Sequence, residues 1–229
     1  MTGPDTAMIM SAGFGTRMGA LTANRPKPLL PVAGKALIDY ALGYCAEAGV
    51  KRHVVNLHYL GDQIRAHLAG RGDVVFSEEP EIMDTGGGVT QALPLLGDAP
   101  FYTLNSDAIF IGPPALQFLA EAWRPDRMDA LLLMVRRENA IGYTRAGDFR
   151  LDGVRPVRRG DALTAPFVYS GVQIIKPEAF ADAPEGAFST NLIWDRLTAR
   201  NQLSVVVYDG SWVDVGTADG LRLAEEALA

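Results

Sequence analysis

Residues 11–38, SAGFGTRMGALTANRPKPLLPVAGKALI, hold the densest set of groups in the chain that could handle phosphate. A short apolar run, Thr6–Ala12, ends in small residues and leads into Gly13 and Gly15. Glycine lets the backbone turn tightly and approach a ligand, and successive N–H groups of such a loop can converge on phosphate oxygens. Arg17 can grip two phosphate oxygens at once, whereas Lys27 offers a point charge. Pro26 and Pro28 stiffen the chain on either side of Lys27 and limit where its ammonium can go. Two other phosphate-binding designs are disfavoured. A dinucleotide fingerprint needs a third glycine and an immediate helix, and a Walker A loop needs Gly-Lys followed by Ser or Thr.

Other stretches could complete such a site. In LNSDAIF (104–110) an apolar strand delivers Asp107 at its carboxyl edge, where open α/β sheets bind ligands. A carboxylate is a hard oxygen ligand suited to Mg²⁺, which is usually held by one or two carboxylates plus phosphate oxygens. In MDTGGGVTQAL (83–93) Gly86, Gly87 and Gly88 open a helical run and leave room for a flat ring against the backbone. Glu81, just upstream in the run EEPE, could accept a base N–H or could be a solvated loop carboxylate. Arg155, Arg158 and Arg159 form a basic cluster that could meet a sugar phosphate or could be a solvated hairpin, and Asn191 could reach a sugar. His53, His58 and His67 lack metal-ligand spacing and read as structural.

The elements that must position these groups follow from periodicity. Thr6–Ala12, Arg52–Leu57, Asp73–Phe76 and Ala99–Leu104 read as strands. Leu37–Ala48, Asp62–Leu68 and Thr90–Leu96 read as the helices between them, with Gly49 as a C-terminal stop. Strands alternating with helices predict an α/β fold: a three-layer, Rossmann-like, mainly parallel mixed sheet with helices on both faces. Beyond Asp107, Asp129–Val135, Phe167–Ile175 and Leu203–Tyr208 read as strands. Ser189–Arg200 reads as a helix capped by Ser189, and Thr217–Ala229 as one capped by Thr217. The charged, Gly- and Pro-containing stretch 136–166 predicts an antiparallel ribbon or a flap. The expected organisation is a single domain, 1–229, with a nucleotide half (1–107) and a sugar-phosphate half (108–229). No internal repeat is present, and in particular no hexapeptide β-helix repeat.

Bulk properties narrow the class. With 229 residues, 48% of them hydrophobic, the chain can build a sizeable core. The formal charge of −6 provides no basic footprint for nucleic acid, so none is expected as a partner. The single cysteine, Cys45, allows no intramolecular disulfide, and its helical, apolar setting marks it as core. Apolar runs such as 130–135 are too short to span a bilayer, and the N-terminus lacks a signal-peptide pattern. A cytoplasmic protein without a membrane partner is expected, as a monomer or small homo-oligomer.

The pattern AGxGTRM–x–LT–xxx–PKPLLPVxGKxLI resembles the signature of the nucleoside-diphosphate-sugar pyrophosphorylases, with Ala20 where members often carry Pro. The resemblance implies a Mg²⁺-dependent nucleotidyltransferase that joins a nucleoside triphosphate to a sugar 1-phosphate and releases pyrophosphate. It implies that Lys27 and Arg17 are catalytic, with Arg17 and the Gly13–Thr16 backbone on the departing pyrophosphate and Lys27 on the α-phosphate. Ala12, Gly13, Gly15, Thr16, Glu81, Gly86 and Gly87 would bind the nucleotide, with the base on the glycine run. Asp214, in SWVDVGTADGL (211–221), resembles the family's second metal carboxylate and would share Mg²⁺ with Asp107. Ser106 must fit where members usually have glycine. VYSGVQII (168–175) resembles the strand that faces the sugar, so Asn105, Arg158, Ser170, Gly171 and Asn191 form the expected sugar-phosphate side. The short length and the TGGG spelling most resemble the compact uridylyltransferases of N-acetylmuramate α-1-phosphate, a peptidoglycan-recycling activity using UTP. A mannose-1-phosphate guanylyltransferase is the alternative within the family, and a non-catalytic nucleotide-sugar-binding regulator the alternative outside it.

Overall fold

The computed structural model describes residues 3–153 and 155–229. The elements are β1 (Thr6–Met10), β2 (Pro31–Val32), β3 (Lys35–Ala36), α1 (Leu37–Glu47), β4 (Arg52–Leu57), α2 (Gly61–His67), β5 (Val74–Glu78), α3 (Asp84–Leu96), β6 (Phe101–Asn105) and β7 (Ala108–Ile111). They continue with α4 (Ala115–Ala122), β8 (Ala130–Arg136), β9 (Ala140–Ile141), β10 (Phe149–Asp152), β11 (Arg155–Arg158), β12 (Phe167–Ile175), α5 (Asn191–Ala199), β13 (Leu203–Val207), β14 (Ser211–Asp214) and α6 (Ala218–Leu228).

The central sheet is mixed, in the order β11-β10-β12-β6-β1-β4-β5, with β8 also on β12 and β13 on β8. The β6-β1-β4-β5 portion is all parallel. The centre of β1, Ala7 to Ile9, is apolar and buried because it is covered on both faces. Ala7 and Ile9 join the core under α1, α2 and α4, while Met8 joins the opposite core under α3 and α5. The chain therefore has three layers, and strand alternation decides which layer each side chain serves. Cys45 lies in the first core, and burial pushes its thiol up to about 12, so it is inert at neutral pH.

From β1 the chain moves through α1 to β4 and α2 to β5 on one side, then returns to place β6 on the other side of β1. That reversal makes a crevice at the carboxyl ends of β1 and β6, the place where such sheets bind ligands. Ser106 fits there by donating its N–H to Met10 O at 3.2 Å, and it is buried.

A second sheet, β7-β14-β9, packs with α6 against a third core that contains Met18, Leu30 and Val32 of the glycine- and proline-rich segment. That segment is less irregular than its composition suggests. It contains two 3₁₀ turns, Thr16–Thr22 and Lys27–Leu29, and the β2–β3 hairpin.

Two boundaries differ from expectation. The helix expected from Thr90 begins at Asp84 and includes all three glycines. Carbonyl acceptance explains this: Phe188 O receives the N–H groups of Gly86 and Gly87 at 2.8 and 3.1 Å, satisfying the first turn from a distant segment. Ser189 is not the cap of α5. Thr190 holds that position, and the Ser189 hydroxyl accepts from Asn191 N at 3.3 Å. Thr217 does cap α6, accepting from Gly220 N at 3.1 Å. The stretch 136–166 contains β9 and the antiparallel β10–β11 ribbon, which joins the main sheet through Phe149 and Phe167.

Candidate active site

The loop after β1 owes its shape to Gly15, which sits at φ +64°, a conformation that side chains rarely adopt. A Cβ there would also lie 3.0 Å from Lys27 Cβ, so the missing side chain lets the stem of Lys27 pack against the loop. Thr22 locks the turn by donating its hydroxyl to Gly15 O at 3.1 Å and Gly19 O at 3.2 Å. Gly13 faces open space. Ala12, Gly13, Gly15, Thr16, Arg17 and Lys27 all line one cavity of about 380 Å³ in the crevice between β1 and β6.

Asp107 reaches the same cavity from the turn between β6 and β7. The antiparallel pairing of β7 with β14 sets Asp214 opposite Ala108 and therefore beside Asp107. Lys27 makes an ion pair with Asp107, and both side chains are largely buried. Arg17 approaches Asp214 at Gly216. A Cβ on Gly216 would lie 2.8 Å from Asp214 Oδ1 and 2.9 Å from Arg17 Nη1. Burial pushes the Asp214 carboxyl above the usual carboxylate range; Arg145 opposes this, Asp107 adds to it, and Arg17 and Lys27 oppose it.

Among the described residues, no three His, Cys, Asp or Glu side chains converge as a metal centre. Asp107 lines the cavity, and Asp214 stands behind its rim at Gly216 rather than in the lining; two neighbouring carboxylates so placed suit a hard cation that completes its shell with water and phosphate oxygens. That is the habit of Mg²⁺, and the donor set fits it.

The residues expected to hold a base depart from expectation. Gly86 and Gly87 are buried, their N–H groups are taken by Phe188 O, and the space for their side chains is filled by Phe188 and by Gly186 O. They hold two segments together rather than offering a bare backbone to a ring. Glu81 is exposed and lies off the cavity. Glu79, two residues earlier, lines it instead. Its buried carboxylate accepts from Asn56 Nδ2 at 2.7 Å and from Met83 N at 3.1 Å, and Gly88 leaves the room it needs. Asn56 Oδ1 in turn accepts from Ser11 N at 2.6 Å, tying this pair to the end of β1. The run EEPE offered three carboxylates with nothing in the sequence to rank them. Position just past β5, at the sheet's carboxyl edge, is the signal that singles out Glu79.

A second cavity, about 500 Å³, adjoins the first, and Met10, Thr85 and Asn105 line both. Asn191 and Arg158 line it, as do Arg145, Arg159, Tyr169 and Trp194. Ser170 does not: it is fully buried and donates its hydroxyl to Leu133 O at 2.8 Å across the β8–β12 ladder. Gly171, at φ +85°, is overlain by Asn105. A Cβ there would meet Asn105 Nδ2 at 2.6 Å, so the glycine makes room for an asparagine side chain and not directly for a ligand. Trp194 packs edge-on against Tyr169, with ring centres 4.7 Å apart, and donates to Gln173 Oε1 at 2.8 Å. Gln173 Nε2 donates to Thr103 Oγ1 at 3.0 Å. Along this Trp194–Gln173–Thr103 relay each donated N–H meets an acceptor, which holds the aromatic wall in place.

Arg145 was not foreseen in the sequence. Its guanidinium stands 3.3 Å from Asp214 Oδ2 and also lines the second cavity, so it faces both halves of the site. It lies in the turn before β10, amid several arginines of similar local context, and only the tertiary pairing with Asp214 distinguishes it.

Comparison with known proteins gives the family. Residues 7–186 match the MobA-like NTP transferase domain. The chain is 42% identical to the N-acetylmuramate alpha-1-phosphate uridylyltransferase of Caulobacter vibrioides, over 99% of this chain and 98% of that protein. It is 38% identical to the protein of the same name from Neisseria meningitidis serogroup B, over 97% of each. Among solved structures it resembles the inositol-1-phosphate CTP transferase of T. maritima, with a TM-score of 0.79, 17% identity, and coverage of 97% of this chain and 95% of that one, a likeness of fold. Among the described residues, no helix is long and apolar enough to cross a membrane. The chain belongs to the MobA-like NTP transferase family and is a nucleotidyltransferase.

Proposed function

We propose that this enzyme transfers the uridylyl group of UTP to N-acetylmuramate α-1-phosphate, giving UDP-N-acetylmuramate and pyrophosphate, with Mg²⁺ held by Asp107 and Asp214. The observation that carries the reading is the meeting of two cavities at Met10, Thr85 and Asn105, one lined by the phosphate loop and the other by arginines, amides and an aromatic wall. Near full-length likeness to two proteins named for that reaction supports the choice of substrates.

An oxygen of the sugar phosphate attacks the α-phosphorus. The bond from that phosphorus to the α–β bridging oxygen breaks, and the bridging oxygen keeps the electron pair as pyrophosphate leaves. The reaction needs no covalent enzyme intermediate, so the chain's contribution is positioning and charge neutralisation. Lys27 neutralises the α-phosphate at the junction. Arg17 and the N–H groups of Gly13–Thr16 hold the departing pyrophosphate. Arg145, beside Asp214, draws the sugar phosphate to the same point. Glu79 and Asn56 face the base. Trp194 and Tyr169 offer the sugar an apolar wall, and Asn105 and Asn191 its hydrogen bonds. When bound, Mg²⁺ on Asp107 and Asp214 supplies further charge neutralisation between the phosphates.

The test is pyrophosphate release across UTP, GTP, CTP and dTTP against a panel of sugar 1-phosphates, with Mg²⁺ and with EDTA. The highest kcat/KM is expected for UTP with N-acetylmuramate α-1-phosphate and Mg²⁺. A preference for GTP with mannose 1-phosphate would replace this reading with the guanylyltransferase one.

A further inference from the structure

The second cavity holds more positive charge than a neutral sugar phosphate needs. Arg145, Arg158 and Arg159 line it against a single carboxylate, Asp148. Both oxygens of Asp148 are in use, Oδ1 accepting from the Tyr143 hydroxyl at 3.3 Å and Oδ2 from Tyr169 N at 3.0 Å. Arg159 is committed to the backbone, donating from Nε to Gly147 O at 3.2 Å and from Nη1 to Ala162 O at 2.7 Å. Arg145 belongs to the reacting end through Asp214.

Arg158 differs from both. Its Nη1 is buried and has no hydrogen-bond partner among the described residues. Its Nε faces only Asp195 Oδ1 at 3.7 Å, longer than a hydrogen bond, and that carboxylate is itself exposed. The guanidinium carbon lies 5.8 Å from the centre of the Phe149 ring, within cation–π range, while the rest of the side chain is partly exposed to the cavity. A buried guanidinium N–H without an acceptor is costly to the folded chain, and such groups are usually satisfied by a ligand or by water. Arg158 lines the second cavity and not the first, so it stands away from the phosphate-transfer junction. A planar, pre-positioned fork suits a carboxylate bound through two parallel hydrogen bonds.

We propose that Arg158 reads a carboxylate carried by the acceptor sugar, and so sets the preference for an acidic over a neutral sugar 1-phosphate. The assignment rests on the reading of the acceptor as N-acetylmuramate α-1-phosphate, whose lactyl ether carries such a group. It makes Arg158 a specificity residue rather than a ligand of the reacting phosphate.

The experiment measures kcat/KM by pyrophosphate release with UTP and Mg²⁺ on three acceptors: N-acetylmuramate α-1-phosphate, its lactyl methyl ester, and N-acetylglucosamine α-1-phosphate. Wild-type enzyme and the variants Arg158→Gln and Arg158→Lys are compared, with circular dichroism and Tm confirming the fold. Wild type is expected to favour the free acid over the ester by about tenfold to a hundredfold, the scale of a charge-assisted hydrogen bond. In Arg158→Gln that ratio is expected to fall close to unity, and in Arg158→Lys to an intermediate value. An equal loss on acid and ester would assign Arg158 to the phosphate or to the fold and overturn the proposal. A wild-type acid-to-ester ratio near unity would overturn it even if Arg158→Gln fails to fold. Wild type that releases no pyrophosphate with any of the three acceptors would instead overturn the reading of the acceptor, and this assignment with it.

Discussion

Lys27 and Asp107 form an ion pair with each other. Under the proposed function the ammonium would turn to phosphate and the carboxylate to Mg²⁺. Pre-organised charges of this kind act in a partly buried setting, where removal of one contact costs about 10²-fold or more. Lys27→Ala and Asp107→Ala are each expected to lower kcat/KM for pyrophosphate release by about that factor. Turnover close to wild type in either variant would contradict their assigned roles. Gly216 gives an independent probe, because it touches the machinery without belonging to it. An alanine methyl there would press on Asp214 Oδ1 and on the Arg17 guanidinium, both flexible side-chain ends. Gly216→Ala is expected to fold normally yet lose up to about 10²-fold in kcat/KM, the penalty of a small misplacement at the reacting centre. Unchanged activity would show that Arg17 and Asp214 can shift without consequence.

The elements that present these residues were largely legible, because a parallel strand buried on both faces and the helix that covers it leave strong periodic signals. β1, β4 and β12 and helix α1 fall where apolar runs and Gly49 placed them. What escaped detection depended on partners far away in sequence. Gly86 and Gly87 read as opening a helical run with room for a flat ring, yet their N–H groups are closed by Phe188 and their side-chain space is occupied. Ser170 read as facing a sugar, but a register shift in the β8–β12 pairing between Tyr169 and Gln173 accompanies an inward-turned hydroxyl. The same logic governs His53 on β4. It is buried, Asp73 Oδ2 stands 3.2 Å from its Nδ1, and its Nε2 has no partner among the described residues. Burial lowers its pKa, and the nearby Asp73 only partly offsets that. The unfolded chain therefore binds a proton near pH 6.5, the usual value for histidine, and the folded chain only below it. Stability from this residue is complete above about pH 6.5 and declines as pH falls through that value toward the folded pKa. Tm is expected to drop between about pH 7.5 and pH 5.5, and His53→Gln to drop less over the same interval. An identical slope in the variant would exclude His53 as a source.

At the scale of the whole molecule, one sheet carries both halves of the site. β6 leads to Asp107 at the first cavity, and its antiparallel neighbour β12 carries Tyr169 and Gln173 of the second. The Phe188 carbonyl on the first turn of α3, and the Thr85 hydroxyl accepting from Thr190 N at 3.0 Å, tie the loops of the two halves together at the cavity junction. A chain with a formal charge of −6 nevertheless gathers Arg17, Lys27, Arg145, Arg158 and Arg159 around two adjoining cavities, which concentrates its attraction for polyanionic substrates at one place. The proposed function has these cavities hold UTP and N-acetylmuramate α-1-phosphate for direct transfer. Mass-spectrometric identification of the product, with parallel quantification of pyrophosphate, tests it. UDP-N-acetylmuramate and pyrophosphate are expected in equal amounts, formed with Mg²⁺ and not with EDTA. Consumption of UTP without that sugar nucleotide, or no consumption in the presence of both substrates and Mg²⁺, would contradict it.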